Sequence, residues 1–144
     1  MFLTFHLLAA FLSVTFGCTC VEPSTDGKQE FCMSDFVGIF KILKRSETTE
    51  RVIQYHVAPS QIFKSPGGHS DINVLETYKH GASCGVTGLE EGQEYLLTGF
   101  YSSADNAFSI YICGEIALTQ WSNVPTEIRK ALKEGSYEPC PNQD

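Results

Sequence analysis

Basic residues are scarce in this chain. Ten Lys and Arg stand against seventeen Asp and Glu among 144 residues, leaving a formal net charge of −7. No basic run exceeds two adjacent residues, so the electrostatic footprint of a nucleic-acid, heparin or anionic-lipid binder is missing. N-glycosylation is not expected, because Asn73, Asn106, Asn123 and Asn142 all lack a Ser or Thr two residues on. The sequence contains no HExxH, no Gly-x-Ser-x-Gly and no phosphate-binding glycine loop. His56 falls in an apolar strand pattern and reads as a sheet residue, while His69 and His80 fall in polar loops. Glu90-Glu91 reads as a solvated turn. Nothing in the pattern assembles a nucleophile with a base, so the chain reads as a non-enzyme. After Val14 no long apolar run remains, which argues against membrane insertion.

The first residues are of another kind. Met1 to Val14 carry no Asp, Glu, Lys or Arg, and Leu7 to Val14 form a short apolar core. Thr15 and Gly17 place small side chains at the third and first positions before a cut after Gly17. Residues 1–17 therefore read as a secretory signal, too short to span a bilayer. Removing them from 144 leaves 127 residues, the size of one domain, so 18–144 is expected as a single secreted, extracellular, monomeric unit. Its first three residues would be Cys18-Thr19-Cys20.

Six cysteines, at 18, 20, 32, 84, 113 and 140, predict three disulfides in an oxidising compartment. They admit fifteen pairings, and the close spacing of Cys18 and Cys20 strikes out the three that join those two, leaving twelve. The same compartment argues against a thiolate metal site at Cys-x-Cys. Apolar and β-branched runs predict strands over 35–45, 52–63 (bent by Pro59), 71–78, 94–101 and 107–112. Short helices are expected at 28–33, with a start signal in Ser24 to Asp26, and at 126–133, opened by Pro125 and closed by Gly135. Ile128, Ala131 and Leu132 give the second helix one apolar face. Five strands with flanking helices predict a mainly β fold, a closed five-stranded OB-type barrel.

A terminal cysteine has chemistry beyond its thiol. A free α-amine has a pKa of about 7.7–8.0, so a useful fraction is neutral at extracellular pH. That nitrogen and the carbonyl of the same residue can close a five-membered chelate on a metal. A catalytic zinc keeps one position open for such ligands. Tight binding needs the wedge ordered beforehand, which bridges at Cys18 and Cys20 would supply.

Cys18-Thr-Cys-Val-Glu-Pro23, Phe31-Cys-Met-Ser-Asp-Phe-Val37, Ser83-Cys84-Gly85, Cys113 and Trp121 resemble the N-terminal domain of the tissue inhibitors of metalloproteinases. The likeness runs from Cys18 to Cys140. It implies a netrin-like OB barrel with the pairs Cys18–Cys84, Cys20–Cys113 and Cys32–Cys140. It also implies that Cys18 chelates the zinc of a target protease through its main-chain amine and carbonyl, the protein having no cofactor of its own. Thr19 would enter the S1′ pocket, with Cys20 and Val21 along the primed side. Ala82, Ser83, Cys84 and Gly85 would form a second, unprimed ridge, flanked by the short loop Ser46 to Glu50. The implied partners are secreted or cell-surface zinc metalloproteases. The family's usual C-terminal domain is not expected, since the sequence stops four residues after Cys140. The alternative is a netrin-like extracellular binding or signalling module without protease inhibition, since fold alone does not fix function.

Overall fold

The computed structural model describes residues 17–20, 27–113, 116 and 118–141. Residues 1–16 of the expected signal, the Ser24–Asp26 start signal and Val21 lie outside those residues.

Strand β1 (Phe36–Glu47) is buried without alternation from Phe36 to Phe40. Both its faces are covered. Phe36, Phe40 and Ile42 point into the main core, while Val37 belongs to a second cluster on the other side. β2 (Val52–Lys64) alternates as a half-buried strand should, sending Ile53, Tyr55 and Val57 inward. β3 (Val74–Tyr78) contributes Leu75, and β4 (Glu94–Ser102) contributes Tyr95 and Leu97. β5 (Ala107–Ser109) and β6 (Thr119–Gln120) are short.

The order β1-β2-β3-β5-β4 returns to β1 through a β1–β4 pairing, with β6 paired to the start of β4 along the edge opposite β1. Five strands thus close a barrel, and the sixth is an addition to the five expected. All pairings are antiparallel except β3–β5, which is parallel and registers only Glu76 with Ser109. Register shifts between β1 and β2, one of them where Phe40 meets Pro59, give the long hairpin its bend. Closure also needs Gly99. A Cβ there would lie 2.1 Å from the Ser109 carbonyl oxygen and 2.8 Å from the Phe36 ring.

Two of the expected strands are shorter than their apolar patterns. β3 begins at Val74 rather than Asp71, although Ile72 is fully buried. β5 ends at Ser109, because the Ile112 N–H leaves the ladder to donate to the Cys84 carbonyl at 2.9 Å.

The second cluster sits where α1 (Gly27–Met33) and α2 (Thr126–Glu134) cover the barrel. Phe31, Leu96, Val124 and Leu132 fill it, with Trp121 packed at its margin. Gly135, at φ 69°, terminates α2 in the left-handed conformation that favours glycine. Its N–H donates to the Leu132 carbonyl at 3.3 Å. Cys32–Cys140, Cα atoms 5.4 Å apart, ties α1 to the segment beyond α2.

The end of α1 shows what the Cys-x-Ser-Asp block does. Ser34 Oγ donates to the Glu30 carbonyl at 2.8 Å, and Lys64 Nζ donates to the carbonyls of Phe31 and Cys32 at 3.0 Å each. A cation on the last carbonyls of a helix offsets their partial negative charge. Burial holds Lys64 below the ordinary lysine range, opposed by the nearby charges of Asp35 and Glu138. Asp35 Oδ2 accepts the Tyr101 N–H at 2.8 Å, and the Asp35 N–H donates to the Gly99 carbonyl at 2.8 Å. The block locks a helix end onto β4. Asp35→Ala removes a charge-assisted acceptor from a backbone N–H, so urea denaturation should show a loss of about 1.5–3 kcal/mol. An unchanged midpoint would mean that water replaces the carboxylate at no cost.

Candidate functional site

The site begins where β3 ends. The Lys79 N–H donates to the Arg51 carbonyl at 2.8 Å, and a single 3₁₀ turn, Gly81–Ser83, follows. The His80 carbonyl accepts from Ser83 at 3.0 Å and Gly85 at 3.3 Å. Cys84 then adopts φ 60°, ψ 27°, which re-aims the chain at the turn's end. Gly85 makes that geometry possible: a Cβ there would stand 1.8 Å from the Tyr78 carbonyl oxygen. No other residue lets the backbone fold back this closely.

The Cys84 carbonyl accepts the Ile112 N–H, so the segment leaving β5 runs beside the segment leaving β3. Cys84 and Cys113 are thereby presented together. Cys18 bonds to Cys84 with Cα atoms 5.0 Å apart, and Cys20 bonds to Cys113 at 5.5 Å. With Cys32–Cys140, these are the pairs that the resemblance implies. The two bridges touch, since Cys18 Sγ lies 3.7 Å from Cys113 Sγ. Thr19 stands between the two anchors and is exposed, as are Cys20, Ala82 and Ser83, while Cys18 and Cys84 are half-buried and Gly85 is buried. Seven of the eight expected wedge and ridge residues therefore come together; Val21 lies outside the described residues.

Sulfurs of Cys18, Cys20 and Cys113 lie within 4.8 Å of one another, a spacing a metal could use. All three are in disulfides, which removes them as thiolate ligands. What Cys18 can still offer a metal is main chain: its nitrogen and carbonyl. While Gly17 is attached, that nitrogen is an amide.

An open groove of about 750 Å³ runs alongside, lined by Gly17, Cys18, Thr19 and the ridge on one side and by Glu50, Arg51, Tyr78 and His80 on the other. The β1–β2 turn forms part of its wall. Thr49 Oγ1 accepts the N–H groups of Arg51 at 3.2 Å and Val52 at 3.1 Å, which keeps the turn tight. Of the expected flanking loop, Ser46 and Glu47 continue β1, and Glu50 is the residue that reaches the groove. Glu47 takes Lys79 at 2.7 Å and Arg45 at 3.5 Å. The Lys79 hydrogen bond and charge, then Arg45, hold its carboxyl below the usual range. Tyr78 and Arg51 carry no motif; only their places at strand ends beside the cysteines mark them.

The histidines are dispersed. His56 Nε2 pairs with Ser46 Oγ across the β1–β2 hairpin at 3.3 Å. His69, expected free in a loop, stacks on Tyr101 at 4.9 Å and Phe108 at 5.9 Å between ring centroids. His80 opens the 3₁₀ turn. Glu90 and Glu91 are exposed, with Glu91 accepting the Arg45 N–H at 3.0 Å.

Comparison with known proteins bears directly on this arrangement. The family model described as tissue inhibitor of metalloproteinase matches residues 17–143. The chain belongs to the tissue inhibitor of metalloproteinase family. It is similar to metalloproteinase inhibitor 2 of Homo sapiens, 30% identical over 147 residues, which takes in 93% of this chain and 62% of that protein. The Rattus norvegicus protein of the same name is 29% identical over 147 residues, with the same shares. That of Cavia porcellus is 28% identical over 135 residues, covering 86% of this chain and 57% of the relative. This family member thus spans less than two thirds of the length of these relatives. Among the described residues no helix is long and apolar enough to cross a membrane.

The ridge gives a sharp test of the local geometry. Gly85→Ala should cost roughly 1–3 kcal/mol by overpacking against the Tyr78 carbonyl, read as a lower urea midpoint. A variant as stable as the native protein would show that the backbone there relaxes freely.

Proposed function

We propose that the chain is a secreted inhibitor of zinc metalloproteases and that Cys18 is its zinc-binding residue. The observation that supports this best is the double anchoring of one exposed tripeptide. Two touching disulfides fix Cys18 and Cys20 to the barrel, so the wedge is ordered before it meets a partner and little conformational entropy remains to be lost. In this reading signal peptidase cuts after Gly17 and turns the Cys18 nitrogen from an amide into a basic amine. Amine and carbonyl then displace water from the open coordination position of the protease zinc. Thr19 fills the S1′ pocket, Cys20 and Val21 follow the primed side, and Ala82 to Gly85 form the unprimed ridge. Zinc belongs to the partner; the inhibitor supplies two main-chain ligands and a rigid frame.

The amine is tested directly. Extending the mature chain by one alanine before Cys18, or carbamylating the amine, delocalises the nitrogen lone pair and adds bulk at the metal. Neither change touches the bridges or the core. Inhibition of a panel of secreted zinc proteases should fall by orders of magnitude, each tenfold being about 1.4 kcal/mol, while the melting temperature stays put. Equal inhibition by extended and native protein would remove the chelate. Inhibition by neither would favour the netrin-like binding module instead.

Thr19→Gly asks about the pocket. It deletes the S1′ side chain and keeps both chelating atoms, so inhibition constants should rise unevenly across the panel. A uniform loss, or no change, would place another residue in the pocket.

A further inference from the structure

Five large hydrophobic side chains among the described residues are exposed, among them Tyr78 (44%), Phe100 (48%) and Ile112 (48%). Tyr111 connects the first two, and Ile112 follows it in the chain, tied to the ridge by its backbone. The Tyr111 ring centroid lies 6.1 Å from that of Tyr78 and 6.0 Å from that of Phe100. The row therefore crosses the exits of three barrel segments: the end of β3, the stretch after β5, and β4. Cross-strand aromatic pairing stabilises a sheet and accounts for contacts between neighbours. It does not account for outer rings left nearly half in water, nor for an exposed isoleucine one residue beyond Tyr111.

The row is continuous with the wedge. Tyr78 lines the groove with Cys18, and Ile112 donates its N–H to Cys84, the anchor of Cys18. The groove's other neighbour is the polar turn carrying Glu50 and Arg51. Interface size points to the same side. A standard protein–protein interface takes about 800 Å² and 20–30 residues from each partner, and the wedge and ridge comprise eight. A protease seated on Cys18 has to cover adjoining surface, and the adjoining apolar surface is this row. Tyrosine and phenylalanine, rigid and large, are the side chains that interface centres favour.

We infer that Tyr78, Tyr111, Phe100 and Ile112 form a second contact platform, which takes an uncharged, apolar rim on the target protease outside its active-site cleft. The inference rests on the inhibitor reading above and names the chemistry of the partner surface. It makes the platform, rather than Thr19 alone, a source of selectivity: proteases with a charged rim are inhibited poorly even when their S1′ pockets accept threonine.

Phe100→Ser and Ile112→Ser, made singly in the mature protein, test it against the protease panel. Each should raise the inhibition constant about tenfold for the best-inhibited proteases and little for the weak ones. Phe100→Ser should lower the melting temperature slightly, having lost its ring contact with Tyr111, Ile112→Ser should leave it unchanged, and Phe100→Leu should keep most of the affinity. Should Phe100→Ser fail to fold, Ile112→Ser, which lies outside the ring stack, carries the test. Unchanged inhibition by the serine variants, alongside loss on blocking the Cys18 amine, would sink the platform and leave the wedge standing. A native protein that inhibits nothing would overturn both. Sedimentation showing a native dimer that Phe100→Ser dissociates would make the row a self-association surface and end the proposal.

Discussion

Two disulfides lying against each other hold this structure's most consequential surface. Cys18–Cys84 closes 66 residues and Cys20–Cys113 closes 93. In the chain-entropy model loops of that size stabilise by roughly 4 kcal/mol each. Their placement matters as much as their number. Cys84 follows β3 and Cys113 follows β5, the two strands whose parallel seam registers a single pair, Glu76 with Ser109. Ile110 adds one more bond, to the Glu76 carbonyl at 2.9 Å, and Ile112 reaches Cys84. Cys18-Thr19-Cys20 is thus a strap across the exits of the barrel's thinnest seam. The constraint that braces the fold and the one that orders the Cys18–Cys20 tripeptide are the same.

That coupling separates the motifs by role. The Cys-x-Ser-Asp block and the Cys-Thr-Cys tripeptide are equally conspicuous in sequence, yet Ser34 and Asp35 act inward, on a helix end and on β4, whereas Thr19 faces outward. Lys64 shows the same inward logic. A lysine so placed spends its charge on the α1 carbonyls, leaving still less positive surface on an acidic molecule. In the proposed inhibitor, recognition would then rest on shape, main-chain groups and apolar contact rather than on long-range charge.

Much of the barrel was legible because its signals are local. The runs around Ile39, Val57 and Leu97 mark β1, β2 and β4, and Gly135 marks the end of α2. The signals failed where a nonlocal contact overrode a local pattern. Ala107 to Ile112 reads as one strand, but the hydrogen bond from Ile112 goes to Cys84 instead of along the ladder. Asp71 to Asn73 continues the period of β3, yet Ile72 is buried without being part of it. β6 has no pattern to read, being two residues placed by β4. Cysteine spacing narrowed the pairings to twelve without choosing one, since loop entropy changes only slowly with loop length. Family likeness supplied the connectivity. The Arg51 and Tyr78 part of the groove wall and the aromatic row were invisible because an outward Tyr78 and an outward Phe100 are unremarkable singly; their adjacency depends on β3, β5 and β4 lying side by side.

The disulfides also decide what chemistry the terminus has left. A thiolate pair would make Cys-x-Cys a metal site in its own right, competing for zinc wherever it met the ion. With both sulfurs bonded, the remaining donors are the nitrogen and oxygen of one residue, too few to hold a metal tightly alone. Such a pair gains strength only on a zinc already seated in another protein, where three ligands are in place and one position is open. In the proposed mechanism, selectivity for a protein-bound metal over free metal follows from that arithmetic. The same bonds let folding finish with Gly17 still attached, because no sulfur depends on the state of the Cys18 nitrogen. Fold and chelating capacity are therefore set, in the proposed mechanism, by different covalent events, disulfide formation for the first and peptide cleavage for the second.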